Sequence, residues 1–161
     1  MWQIEEPPSG FLSDAEKAQV DALFRRLVPS DPLRRIPGAA EAHAVEFLDR
    51  LLAMSPATYH EIPSWGILYR QRLAQLDQAS QHRYGTPLAG LSDRNMVEFL
   101  QFLQAGLLGT ASGLGADDQK RFFETLHRHC IQGCVADPRW GGNRDRIIWR
   151  WLGYLQPAEE L

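Results

Sequence analysis

Residues 11–32 read FLSDAEKAQVDALFRRLVPSDP, and their spacing decides the fold class. Val20, Leu23, Phe24 and Leu27 fall at i, i+3, i+4 and i+7, the repeat of one helix face, where a half-buried strand would alternate apolar and polar residues. Ser13 stands three residues before Glu16, the spacing at which each side chain satisfies the other residue's free backbone N–H. Pro29 and Pro32 end the run, because proline brings no N–H to an intrahelical bond. The spacing predicts a helix from about Ser13 to Val28.

The same repeat recurs outward from this segment. In PGAAEAHAVEFLDRLLA, Ala44, Phe47, Leu48 and Leu51 share a face, and Pro37 suits the first turn of a second helix. A third carries Trp65, Leu68, Tyr69, Leu73 and Leu76 on one stripe; Pro63 and Gly66 are expected to kink its start, and Tyr84-Gly85 to end it. In the fourth, Ser92 caps a run whose Met96, Phe99, Leu100, Leu103 and Leu107 point inward. GTASGLGADD reads as a flexible break. A fifth helix from about Asp117 to Gln132 buries Phe122 or Phe123, Leu126 and Cys130, and Asn143 starts a short last one through RDRIIWRWLG. Strand signals are nearly absent, with no internal repeat and no dividing linker. The expected architecture is all-α: a compact single-domain bundle of about six helices over residues 1–161, with residues 1–10 as an extended arm, a Gly-Gly turn and a short C-terminal helix.

Composition narrows the function. The chain has 161 residues, 44% of them hydrophobic, with 17 Lys+Arg against 20 Asp+Glu for a formal charge of −3. That balance offers no general field toward nucleic acid or anionic membrane, so such binding needs a local patch. Arg25-Arg26 and Arg34-Arg35 are interspersed with acids and read as solvated helix faces. No run approaches the roughly 18 apolar residues of a membrane span, and the start MWQIEEPPSG lacks the regions of an export signal. There is no GxSxG, no P-loop and no GxGxxG after a strand.

The candidates for chemistry are few. His127, Cys130 and Cys134 sit at i, i+3 and i+7 with Asp137 beyond, a set that offers zinc N, S and O ligands but lacks the paired CxxC spacing. The simpler reading is a buried cysteine beside a partly exposed histidine. A Cys130–Cys134 disulfide needs local unwinding, which Gly133 permits, and a bridge to a partner protein is the other option. His43, three residues before Glu46, suits a surface pair; with His60, His82 and His129 it reads as solvated, since no nucleophile or acid/base partner accompanies them.

The densest stretch is DPRWGGNRDRIIWRWLGY, residues 137–154. Gly141 and Gly142 predict a tight reversal after Trp140, Asn143 a helix cap, and Asp145 a carboxylate in the first turn of that helix. Arg139, Arg144, Arg146 and Arg150 alternate with Trp140, Trp149, Trp151 and Tyr154. One short helix cannot turn all four aromatics toward one core. Arginine with tryptophan and tyrosine is the composition of protein-interface hot spots; arginines stacked on structural tryptophans are the equal alternative.

This stretch resembles the terminal signature of the gluconate 2-dehydrogenase subunit 3 family, the gamma subunits of FAD-dependent sugar and polyol dehydrogenases. The family pattern is H-x-x-x-G, then D-P-x-aromatic-G-G-N-x-D, then an aromatic-rich G-Y ending. It falls here on His129 and Gly133, on Asp137, Pro138, Trp140, Gly141, Gly142, Asn143 and Asp145, and on Trp149, Gly153 and Tyr154. LFRRLVPSD, PGAAEAHAVEFLDRLL and YRQRLAQLDQASQHRYG fit as well, so the likeness runs from about Phe11 to Tyr154. It implies a small helical subunit with no catalytic residues and no cofactor of its own. The implied partners are a large FAD-containing subunit of the glucose-methanol-choline oxidoreductase type and often a multi-haem c-type cytochrome. The implied role is to bind, stabilise and help fold the flavoprotein, and often to carry the twin-arginine signal that exports the pair. Substrates across the family include gluconate, glucose, fructose, sorbitol and glycosides. Arg139, Trp140, Gly141, Gly142, Asn143, Arg144, Asp145, Trp149, Trp151 and Tyr154 are the candidate contact residues. MWQIEEPPSGFLSD holds no twin-arginine motif, which points to a processed form or a signal on the partner; the family implies the periplasm, and the cytoplasm is the alternative.

Overall fold

The computed structural model describes residues 10–111 and 113–154. It is an all-α bundle of six helices around one core, with no β-strand among the described residues. Apart from Gly10, the expected N-terminal arm lies outside the described residues.

Helix α1 spans Asp14–Leu27. Ser13 Oγ accepts from the Glu16 N–H at 3.2 Å and Glu16 Oε2 from the Ser13 N–H at 2.8 Å, the reciprocal cap expected. Val20, Leu23 and Phe24 are fully buried. Burying each such side chain stabilises by roughly 1.5–3 kcal/mol, so the apolar face, more than helix propensity, holds α1 in place.

Helix α2 is Ala44–Ala53 and does not begin at Pro37. Gly38 passes the Val28–Ser30 backbone so closely that a Cβ there would lie 2.5–2.7 Å from it, and the Ala39 N–H donates to Val28 O at 2.9 Å. His43 then takes a left-handed backbone, φ 54°, which interrupts helical geometry until Ala44. Phe47, expected inward, is half-exposed, while Asp49 is buried.

Helix α3, Ile62–Tyr84, runs unbroken where a kink was expected. Pro63 lies in the first turn, where no N–H is missed. Gly66 gives room to the Phe11 ring, which a Cβ would approach to 2.8 Å, and Arg70 stacks on that ring at 4.5 Å. Gly85, φ 66°, closes the helix.

Helix α4, Asp93–Ala105, buries Met96, Phe99, Leu100 and Leu103. Leu107 does not point inward: Gly106 at φ 73° ends the helix, the Leu107 N–H folds back to Phe102 O at 2.8 Å, and Leu108 takes the buried place. The break that follows is fastened at its ends by buried Gln119, which accepts from the Leu108 N–H at 3.0 Å and donates to Leu114 O at 2.8 Å.

Helix α5, Ala116–Val135, packs on both α2 and α4, with Phe122 buried and Phe123 half-buried. Its Gly133 lets α2 approach, since a Cβ there would lie 2.9–3.0 Å from Ala44. Helix α6 is the short Ile147–Trp151. No helix among the described residues is long and apolar enough to cross a membrane.

Candidate functional site

A helix leaves its last carbonyls without intrahelical donors. At the end of α5 the C-terminal block supplies them. The Asn143 N–H donates to Gly133 O at 2.9 Å, Asn143 Nδ2 to Ala136 O at 3.1 Å and Trp149 Nε1 to Val135 O at 2.9 Å. Asn143 is fully buried, and its Oδ1 accepts from the Ile148 N–H at 2.9 Å. One side chain thus closes α5 and starts α6, so the expected capping role is met from a position outside the helix. Asp145 is not in the first turn of α6: it sits before the helix, exposed, with a left-handed backbone at φ 54°.

The two glycines have different reasons. Gly141 takes φ 99° and lies along Arg50, whose Cδ a Cβ would approach to 2.9 Å. Gly142 packs on the Gly133 carbonyl, leaving no room for a side chain. Gly142 and Asn143, both contact candidates, are therefore interior and position the others.

The remaining candidates reach the surface on several sides. Arg139 is exposed and held by Asp137, Nε to Oδ1 at 3.0 Å and a second nitrogen to Oδ2 at 2.8 Å. These bonds keep the Asp137 carboxyl below the usual range. Arg144 donates to His43 Nδ1 at 3.2 Å, so the partner of His43 is this arginine and not Glu46. Trp149 is half-exposed with Tyr154 against it, ring centroids 5.5 Å apart. Trp151 and Tyr154 are 50% and 72% exposed, and Leu152 beside them is exposed too. Trp151 borders a cleft of about 460 Å³ with Ile36 and Ile147. Trp140 borders another, of about 190 Å³, with Phe47, Arg50, Leu51, Met54 and Tyr59. Phe47, Leu51 and Tyr59 continue into an adjoining cleft of about 310 Å³ that Trp65 and Val135 complete.

The zinc candidates do not converge. Cys130 and Cys134 are buried and both thiols are free, so no bridge joins the two. Hydrogen bonding to the Cys134 sulfur and burial push the Cys130 thiol up. His127 lies on the exposed side of α5, stacked on Phe123 at 6.1 Å, and Asp137 is taken by Arg139. Among the described residues no three His, Cys, Asp or Glu side chains could hold a metal. Three of the four paired basic residues also meet carboxylates: Arg25 bonds Asp21, Arg26 reaches Asp93 at 3.4 Å and Arg34 reaches Asp31 at 3.5 Å.

Sequence reasoning missed the burial of His129 and of Asp49. His129 is not solvated: it is fully buried, with Nδ1 2.9 Å from the Tyr69 hydroxyl and its ring edge-on to Trp65 at 4.8 Å. Burial, helped by Arg128, lowers its pKa to about 4. Asp49 is 2% exposed and accepts from the Leu12 N–H at 2.7 Å, the Gly10 N–H at 3.0 Å and Lys17 at 2.9 Å. Burial pushes its carboxyl up, but these donors outweigh it and the pKa is lowered. The one available signal for Asp49 was its place beside Leu48 and Leu51 on an amphipathic helix.

Comparison with curated proteins finds no match, and comparison with solved structures finds none. A family model does match, over residues 14–156, and it takes in the buried Asp49 and His129, the α5 cap and all of the C-terminal block. The chain belongs to the gluconate 2-dehydrogenase subunit 3 family.

Proposed function

We propose that this chain is the non-catalytic small subunit of an FAD-dependent dehydrogenase complex, binding and stabilising the large flavoprotein and assisting its folding. Family membership over residues 14–156 carries the reading. The surface is consistent with it: Trp151, Leu152 and Tyr154 are exposed, and Trp149 half-exposed, beside arginines. Aromatic area of this kind is costly to leave in water and suits a partner's surface. The partner's FAD would supply the oxidation of a sugar, polyol or glycoside, with haem c in a third subunit as an electron acceptor.

On this reading FAD sits in the partner and not in this chain. The FAD pyrophosphate is usually held by a glycine-rich turn between a strand and a helix, and no strand occurs among the described residues. The contribution of this chain would be apolar area and a rigid, capped platform. Export with the partner and a periplasmic location belong to the same proposal.

A tagged pull-down from the native host tests it. A large co-purifying protein with oxidised-flavin absorbance that bleaches on adding a sugar substrate supports the reading. A lone, colourless chain defeats it.

A further inference from the structure

We propose that the cleft between α2 and the Pro138–Trp140 turn receives one segment of the partner flavoprotein, an apolar side chain followed or preceded by a carboxylate that Arg50 takes. The proposal rests on the subunit reading above and adds the surface and the chemistry of the contact.

Size selects the occupant first. The cleft holds about 190 Å³, adequate for a side chain, and past Phe47, Leu51 and Tyr59 it runs on into the adjoining space of about 310 Å³, an elongated track that suits an extended chain segment. Its walls come next. Phe47 is half-exposed although Ala44, Leu48, Leu51 and Leu52 of the same helix are buried, and Tyr59 is 55% exposed. With half-exposed Trp140 they place three aromatic rings around one concavity, the setting in which an inserted anchor contributes most to binding.

Arg50 supplies the polar requirement. Its Nε is buried with no hydrogen-bond partner among the described residues, and one terminal nitrogen reaches Arg139 O at a long 3.5 Å. The neighbouring Arg139 has its guanidinium committed to Asp137. With Nε packed against Gly141, the terminal nitrogens of Arg50, held among the described residues only by the long bond to Arg139 O, are the donors that match a carboxylate. Arg50 is the one charged residue lining this cleft among the described residues, so the cleft itself presents a positive charge to an incoming segment. Beyond the cleft, the apolar path continues through Val135 to Trp149, whose Nε1 bonds the Val135 carbonyl, so a segment anchored at Phe47 has further surface to follow.

The test uses the intact complex and a photo-reactive side chain. With Tyr59→p-benzoylphenylalanine, cross-linking should join the small subunit to the flavoprotein. The cross-linked peptide should carry an Asp or Glu within a few residues of the joined position. Phe47→Glu and Arg50→Glu should each weaken assembly by at least about tenfold. Val97→Glu, on the exposed side of α4, should not. Unchanged melting temperatures of the isolated variants separate lost contact from lost folding. A cross-link to a second copy or to the chain's own termini overturns the proposal, as does a peptide without acids. So does assembly unaffected by both variants while the wild-type complex forms, an outcome that leaves the subunit reading intact. If wild-type chain captures no flavoprotein, the subunit reading fails and this proposal fails with it.

Discussion

The backbone N–H of Asn143 donates to the Gly133 carbonyl at 2.9 Å, joining the aromatic C-terminal block to the last turn of α5. Gly133 also lets α2 come close at Ala44. The α2–α5 crossing and the block are thus set by the same few atoms, and the side chain of Asn143 should matter as much as its backbone.

Asn143→Ala removes the bonds to Ala136 O and from Ile148 N and forces alanine to φ 45°. We expect a loss of about 2–4 kcal/mol in urea unfolding. Asn143→Gly loses the same bonds but not the backbone comfort, so it should be the milder variant by about 1 kcal/mol. If glycine is no better than alanine, the left-handed backbone contributes nothing.

Two glycine substitutions should differ sharply. A Cβ on Gly142 overlaps the Gly133 carbonyl, so Gly142→Ala should cost about 3 kcal/mol or prevent folding. Gly153 has open space around it and only a positive φ of 72°, so Gly153→Ala should cost about 1 kcal/mol. Thermal melts of the two purified variants decide between them; equal melting temperatures would contradict the packing at Gly142.

Acid should destabilise the chain in two stages. Unfolded histidine takes a proton near pH 6.5, but buried His129 only near 4. Between these values the unfolded state holds more protons, so stability falls as pH drops from about 6.5 to about 4, by roughly 3 kcal/mol from this group, and the group adds no slope above that window. Asp49 acts lower: its carboxylate is favoured by folding, a contribution present above the ordinary carboxylate pKa and lost as pH falls through its lowered value. His129→Gln keeps an acceptor for Tyr69 and should abolish the upper stage while leaving the lower. Urea midpoints measured from pH 3.5 to 8 would show whether the upper slope survives.

Asp49→Ala strands the N–H groups of Leu12 and Gly10 and should cost about 3 kcal/mol. Lys17→Ala removes a cation whose side chain is 37% exposed, so solvent screening should limit its cost to about 1 kcal/mol or less. A larger effect from Lys17 than from Asp49 would mean that the ion pair, and not the two backbone donors, holds the start of α1.

Much of this was legible in the sequence. Val20, Leu23 and Phe24 announced α1, and Ser13 with Glu16 its first turn, because the helix period and the cap are local properties of neighbouring residues. The family signature was local too, a run of specific residues at fixed spacing. The misses share a different character. Leu107 fits the period of α4, but Gly106 ends the helix first. Pro37 suits a first turn, but Gly38 must pass the Val28 backbone before any helix can start.

The sequence by itself determined the helical class, most element positions and the family, since these follow from periodicity and short motifs. Tertiary structure alone decided which members of the arginine-tryptophan block face water. It turned Asn143 and Gly142 inward against α5, set Trp140 beside Phe47 and Arg50, and paired His129 with Tyr69 across 60 residues. The physical reason is that burial belongs to pairs of segments brought together by the core, and no spacing within one segment encodes what will lie against it.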